Sequence, residues 1–158
     1  EFGHPEWLDF PREGNGWSYR YARRQWGLVD APDLKYRLLD RFDKDMIGLA
    51  RHFRLLNAPR LALVYTHEDD KLLAFRRAGL LFVFNFHPVN SYRDYRFAAP
   101  QGKYRMVLDS DRPEYGGHGR LVPDQEHFTL RSGCEADECD RLSLYLPSRT
   151  ALVLKILT

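Results

Sequence analysis

The chain has 158 residues, with 24 basic and 22 acidic side chains and a formal charge of +2. Its hydrophobic fraction of 44% is enough for a folded core of about one average domain. Because basic and acidic residues are interspersed along the sequence, we expect no large positively charged surface that would attract nucleic acid or an anionic membrane. The longest apolar runs, at 61–65 and 80–84, are far shorter than the roughly 20 residues of a membrane-spanning helix.

Two cysteines, Cys134 and Cys139, allow at most one disulfide and give little reason to expect an oxidising compartment. The first residues show no basic segment followed by an apolar stretch, although a start without Met could have lost one. We therefore expect a cytoplasmic location.

The first 29 residues predict an irregular segment rich in aromatic and charged side chains. Pro5 and Pro11 make its first part, EFGHPEWLDFPREG at 1–14, extended and stiff. Irregular segments of this length and composition usually contribute to functional sites. We interpret it as part of an active-site loop.

A single long amphipathic helix is predicted from about Ala31 to Phe53. Asp30 is the expected N-cap and Pro32 is expected in the first turn. Burial of its apolar face is worth about 10 kcal/mol, so that face needs a cover. The cover could be the rest of this chain, a second copy, or a larger polypeptide. The apolar residues recur at spacings of mostly three and four, at Leu34, Leu38, Phe42, Met46, Leu49, Ala50 and Phe53.

After Asn57-Ala58-Pro59 the helical period is lost and short strands follow, so we predict a domain boundary that divides the chain into 1–57 and 58–158. Eight antiparallel strands without intervening helices predict a mainly β fold, a Greek-key β-sandwich. The predicted strands are Leu61 to Tyr65, Leu72 to Arg76, Leu80 to Phe86, Tyr95 to Ala98, Lys103 to Leu108, Phe128 to Leu130, Leu142 to Leu146 and Ala151 to Leu157.

The chain resembles the carboxy-terminal end of 1,4-α-glucan (glycogen and starch) branching enzymes. Six segments carry the resemblance, in order and at natural spacing. They are EFGHPEWLDFPREGNGWSY at 1–19, ARRQW at 22–26, LKYRLLDRFDKDM at 34–46, LLFVFNFHP at 80–88, GKYRMVLDSD at 102–111 and GGHGRL at 116–121.

The resemblance implies an α-amylase superfamily enzyme. Residues 1–57 would be the last loop and final helix of a truncated (β/α)₈ barrel, with the sandwich following. In such barrels the active site lies among the loops at the carboxyl ends of the strands. The implied reaction cuts an α-1,4 glucan and transfers the released segment to a 6-hydroxyl. It would be a retaining transfer that uses two carboxyl groups.

In that family the catalytic carboxylates lie upstream, so we expect no catalytic residue, cofactor or metal in this chain and no branching activity of the chain alone. The expected partners are an α-glucan such as glycogen or amylose and the missing barrel. The residues that we expect to bind substrate all lie in the first segment: Glu1, His4, Trp7, Arg12, Trp17, Arg23, Arg24 and Trp26.

Each of these residues also has a structural interpretation. Loop carboxylates such as Asp9 could pair with Arg12, and the tryptophans could anchor the loop rather than stack on sugars. Arg23 and Arg24 could bind glucan hydroxyls or neighbouring carboxylates.

Three groups outside the first segment also have chemistry to consider. His118, His127, Cys134 and Cys139 have zinc-ligand chemistry without zinc-ligand spacing. Tyr92, Tyr95 and Phe97 could bind glucan, but strand aromatics usually pack. The turn-rich loop from Asp109 to Gly119 is interpreted as a connector that docks on the barrel.

Two other functions remain possible besides that of forming part of a branching enzyme. One is a stand-alone glucan-binding sandwich, and the other is a purely structural module that stabilises the barrel. Retardation in a glycogen-containing native gel would separate binding from scaffolding.

Overall fold

The computed structural model describes residues 2–5, 7–58, 60–131 and 139–157. Eight strands follow two helices, and together the strands form an antiparallel sheet. The helices are α1 (Gly27–Asp30) and α2 (Tyr36–His52), and the strands are β1 (Ala62–His67), β2 (Leu72–Arg77), β3 (Leu80–Asn85), β4 (Tyr92–Ala98), β5 (Lys103–Asp109), β6 (Glu126–Arg131), β7 (Asp140–Leu146) and β8 (Thr150–Leu157).

All eight predicted strands are confirmed, with ends that differ from the prediction by at most three residues. The strands are joined in the order β1-β2-β3-β8-β5-β6-β7-β4. Within this order β8 returns to lie beside β5, which gives the arrangement 8-5-6-7 of a Greek key. The mainly β, Greek-key prediction is therefore confirmed.

The sheet folds over at β6, which pairs with β5 through residues 126–128 and with β7 through residues 129–131. Its two ends therefore face each other and enclose the main core. Alternate residues of the strands point inward, as in Leu142, Leu144 and Leu146, which are at most 2% exposed. The other buried members of this core are Leu72, Ala74, Leu81, Val83, Phe97, Tyr104, Met106, Leu152 and Leu154.

Helix α2 covers part of the outer face of the sheet. Its Phe42 and Leu49 pack against buried Leu80, Leu108 and Val153. The sequence left open whether the rest of this chain, a second copy or a larger polypeptide covers this helix. The structure shows that the sheet of this chain covers part of it. Leu39, Met46 and Ile47 remain 41–47% exposed on the rest of the helix surface.

The predicted start of the long helix is wrong, since α2 begins at Tyr36 and ends at His52. Asp30 is the last residue of α1 rather than an N-cap. Ala31 is extended, with ψ of 118°, as expected for a residue that precedes proline. The Arg37 guanidinium donates to the carbonyl oxygens of Pro32 and Leu34. These bonds hold the segment between α1 and α2, residues 31–35, in a non-helical conformation.

Neither helix in the described part of the chain has the length and apolar character to span a bilayer. The predicted domain boundary after Asn57, and the origin of residues 1–57 in a barrel, stay predictions.

Candidate functional site

Phe2 anchors the first segment to α2. Its ring is 1% exposed and lies 5.7 Å from the ring of His4, 5.2 Å from that of Trp26 and 6.2 Å from that of Tyr36. The backbone N–H of Gln25 donates to His4 Nε2 at 3.1 Å. The predicted site residues His4 and Trp26 are thus brought together around a side chain that sequence reasoning had passed over. No sequence signal distinguished Phe2 from the other aromatic residues of the first segment, most of which are exposed.

The next turn of the segment is held by Asp9, Arg12 and Asn15. Arg12 Nε donates to Asp9 Oδ1 and Asn15 Nδ2 donates to Asp9 Oδ2, both at 2.9 Å. These bonds, from Arg12 first and then from Asn15, lower the pKa of Asp9. The carboxylate therefore stays ionised and serves as an acceptor that fixes the loop, in agreement with the structural alternative for Asp9.

The three tryptophans of the first segment keep large exposed surfaces. Trp7, Trp17 and Trp26 are 69%, 66% and 55% exposed. Phe10 and Tyr19 are also exposed, at 69% and 76%. Flat aromatic faces of this kind can stack on sugar rings. They can equally be covered by another protein surface.

An open cleft of about 660 Å³ lies beside these residues and is lined by Arg20, Tyr21, Arg23, Arg24 and Gln25. The Arg20 guanidinium lies 5.2 Å from the centre of the Tyr21 ring. The structure therefore places two predicted site residues, Arg23 and Arg24, in one cleft. Arg12 lies with Asp9 instead, and Glu1 lies outside the described residues.

The three aromatic residues considered on β4 are packed or hydrogen-bonded. Phe97 is 2% exposed in the main core. Tyr95 donates to Asp70 Oδ2 at 2.6 Å, and Tyr92 donates to the carbonyl oxygen of Asp70 at 3.2 Å. The packing interpretation of these aromatic residues therefore agrees with the structure.

The loop after β5 is built around an ion pair that the sequence analysis did not identify. Arg120 donates to both carboxylate oxygens of Asp111, at 2.9 and 2.8 Å. Burial opposes ionisation of Asp111, but these bonds and the amides of Arg120 and His118 hold its pKa below the ordinary value. Burial raises the pKa of neighbouring Asp109, whose Oδ1 accepts from the Asp111 amide. The signal available in the sequence was an aspartate followed by a glycine-rich turn and an arginine.

No cluster of three or more metal-ligating side chains occurs among the described residues. His118 is exposed, and burial lowers the pKa of His127. Cys139 carries a free thiol, whereas Cys134 and the acidic Glu135, Asp137 and Glu138 lie outside the described residues.

The fold and its first segment define an all-β domain with an attached helix, exposed aromatic rings and an arginine-lined cleft. A family model described as the alpha amylase, C-terminal all-beta domain matches residues 63–156. The chain belongs to this family.

The chain is also homologous over nearly its whole length to 1,4-alpha-glucan-branching enzymes. It is 49% identical to that of Felis catus over 156 residues, 98% of this chain and 22% of the relative. The enzyme of Saccharomyces cerevisiae is 48% identical over 157 residues, 99% of this chain and 22% of the relative. That of Dictyostelium discoideum is 49% identical over 156 residues, 98% of this chain and 23% of the relative.

The chain therefore spans about a fifth of the length of these relatives. The matches confirm the resemblance to the carboxy-terminal region of branching enzymes.

Proposed function

We propose that this chain serves as the carboxy-terminal part of a 1,4-α-glucan branching enzyme. One observation carries the proposal: similarity to branching enzymes covers 98% of the chain, well beyond the residues 63–156 that match the all-β family. The first segment and α2 are therefore shared with branching enzymes as well. We infer a cytoplasmic location, where glycogen would be the substrate.

The proposed reaction of the whole enzyme is a retaining transfer from an α-1,4 linkage to a 6-hydroxyl. A carboxylate would form a glycosyl-enzyme while a second carboxylic acid protonates the leaving oxygen. Asp9 does not suit either role, because its lowered pKa and its bonds to Arg12 and Asn15 make it a fixed acceptor. As the resemblance to the family implies, we assign catalysis to carboxyl groups outside this chain. The role of this chain would then be to support the barrel.

A chimeric enzyme tests this function. The segment of the Saccharomyces cerevisiae enzyme that aligns with this chain would be replaced by it, in cells that lack their own branching enzyme. We expect branched glycogen, measured as α-1,6 linkages released by a debranching enzyme. A matched chimera that carries only residues 63–156 of this chain, with the yeast sequence before them deleted, should be inactive. A soluble, folded chimera with the whole segment and no branching activity would contradict the proposal.

The exposed tryptophans favour glucan binding as a second function of the same segment. We propose that Trp7 and Trp17 stack on glucose units, while Arg23 and Arg24 donate to hydroxyl groups from their cleft. The 158-residue chain should then be retarded in a native gel that contains glycogen.

Trp7→Ala should reduce the retardation. Phe128→Ala, which removes a ring that is 58% exposed on β6, is the control and should leave the mobility unchanged. Equal mobility of the unmodified chain with and without glycogen would leave only the supporting role.

A further inference from the structure

A second open cleft, of about 400 Å³, lies at one end of the sheet and is remote in sequence from the first segment. Strands β3, β5 and β7 run in the same direction, since two antiparallel pairings separate β3 from β5, through β8, and two separate β5 from β7, through β6. Their carboxyl ends therefore lie at the same end of the sheet. The loops that follow them meet there, and they contribute Pro88, residues 110–111, 115–118 and 120, and residues 148–149.

One wall of the cleft is the rigid turn held by Asp111. Its carboxylate accepts from Arg120 and from the amides of His118 and Arg120, and its side chain is 3% exposed. The glycine amides of the turn are used internally, since Gly116, Gly117 and Gly119 donate to the carbonyl oxygens of Pro113, Arg112 and Asp111. These three amides are therefore not available to a ligand.

Arg149 supplies the main free donors of the cleft. Its Nε donates to the Pro88 carbonyl oxygen at 2.8 Å, which holds the stem of the side chain in place. Among the described residues, its two terminal amino groups have no hydrogen-bond partner. Its φ of 57° lies in the left-handed region, where Gly or Asn is more usual. An arginine in this conformation is strained, and strained backbone is often found at functional positions.

Hydroxyl and imidazole groups complete the lining. The Ser110 hydroxyl accepts from the Ala151 amide at 2.8 Å, which leaves its own hydrogen free to donate. The Ser148 hydroxyl accepts weakly from Arg120 at 3.4 Å and also retains its hydrogen. The imidazole of His118 is exposed beside them.

The charge balance of these groups decides the chemistry of the ligand. Among the described residues that line the cleft, the only carboxylate is Asp111, and Arg120 compensates its charge. A neutral sugar is usually held by carboxylate or amide acceptors as well as donors, and the remaining side chains here offer chiefly donors. Donors around an uncompensated guanidinium suit an oxyanion.

We propose that this cleft binds a phosphate group, either free or carried by a sugar, with the Arg149 guanidinium as its principal ligand and the hydroxyls of Ser110 and Ser148 beside it. The proposal is independent of the proposed branching function, because it uses none of the residues of the first segment.

Titration of the 15N-labelled chain at constant ionic strength tests it. We expect inorganic phosphate and glucose 6-phosphate to shift the amide signals of residues 116–118 and 148–150 along one saturable curve, and glucose to shift none. Tighter binding of glucose 6-phosphate would support a sugar phosphate, and equal binding would support free phosphate. Stronger shifts with glucose, or no saturable shifts with either phosphate, would overturn the proposal.

Two arginines at similar backbone positions give matched variants. Arg149→Asn removes the guanidinium while Asn tolerates the left-handed backbone, so the turn should still form. Arg54→Asn is the control, because Arg54 is also exposed, with φ of 50°, outside the cleft. We expect Arg149→Asn to weaken phosphate binding at least tenfold and Arg54→Asn to leave it unchanged, with near-UV spectra confirming the fold of both. An equal effect of the two substitutions would overturn the assignment.

Discussion

Gly117 lies so close to the backbone of Asp111 that it admits no side chain. A Cβ atom at this position would lie 2.2 Å from the carbonyl carbon and the carbonyl oxygen of Asp111. Backbone atoms cannot turn aside as a flexible side chain can. Only glycine fits at this position, because any side chain would clash with the backbone of Asp111. Its small size lets the turn close around the ion pair of Asp111 and Arg120.

Gly117→Ala should destabilise the fold by about 3 kcal/mol, the upper part of the usual range for overpacking. Urea unfolding followed by tryptophan fluorescence would measure it. Gly48→Ala is the control: it lies within α2, and its Cβ would meet no atom within 4 Å. That substitution should stabilise the chain by up to about 1 kcal/mol, because alanine has the higher helix propensity. Equal effects of the two changes would contradict the close contact.

Asp111→Asn should destabilise the chain in a pH-dependent way. Breaking a buried ion pair costs about 3 kcal/mol, and the partial exposure of Arg120 brings the expected loss to about 2 kcal/mol near pH 7. Because the pKa of Asp111 is lowered in the fold, its contribution is complete above the ordinary value of 3.8 and is lost as the pH falls through the lower folded-state pKa. The wild type and the variant should therefore converge in acid, as measured by urea unfolding at several pH values. A constant difference across this range would contradict the ion pair.

At the scale of elements, periodicity and turn residues predicted the strands well. Leu142, Leu144 and Leu146 alternate because one face of β7 meets the core. The start of β4 was predicted at Tyr95 rather than Tyr92, because the register shifts between these residues and Asp94 has a φ of 50°. Such an irregularity interrupts the alternation on which the prediction depends.

The start of α2 was harder to predict, because Asp30 and Pro32 have the composition of a helix start without its geometry. The bonds from Arg37 to the carbonyl oxygens of Pro32 and Leu34 depend on the three-dimensional structure. They produce no pattern of apolar residues that could be read from the sequence.

The turn between β2 and β3 offers a stabilising substitution. Ala78 and Gly79 have φ of 51° and 75° between the paired residues Arg77 and Leu80, as expected for a type I′ turn. Asn is preferred at the first of these positions and alanine is strained there, so Ala78→Asn should stabilise the chain by about 0.5–1 kcal/mol. Gly79→Ala should have the opposite sign, because it introduces the same strain at the second position. Thermal unfolding of both variants measures this, and a lower melting temperature for Ala78→Asn would contradict the turn type.

At the scale of the whole molecule, the contacts that define the sites join distant parts of the sequence. Phe2 meets Tyr36, and Tyr65 meets Tyr95. Periodicity indicates which face of an element is buried but not which remote side chain it meets. The sequence therefore located the first segment as a candidate site but did not show the ion pair of Asp111 and Arg120.

The two edge strands of the folded sheet, β1 and β4, are joined by a small polar cluster. The Tyr65 and Tyr95 hydroxyls lie 2.9 Å apart, and Tyr95 donates to Asp70 Oδ2. Because a phenol has one hydrogen, Tyr65 is then the donor to Tyr95. Burial first, and then the bonds to Asp70 and Tyr65, raise the pKa of Tyr95 above its ordinary value of 10.0.

Tyr95→Phe should weaken this closure of the sheet. We expect a loss of about 1–2 kcal/mol near pH 8, because the substitution removes one donor and one acceptor from a partly buried site. As the pH rises through 10.0, the unfolded wild type releases a proton that the folded state retains, so the stability of the wild type falls.

The variant lacks this phenol, and the difference between the two proteins should therefore narrow in alkali. Urea unfolding at a series of alkaline pH values measures it. Tyr19→Phe, which removes a phenol from a residue that is 76% exposed, is the control and should change the stability little at any of these pH values. A difference that widens in alkali would mean that Tyr95 is ionised in the folded protein and would contradict its role as the donor to Asp70.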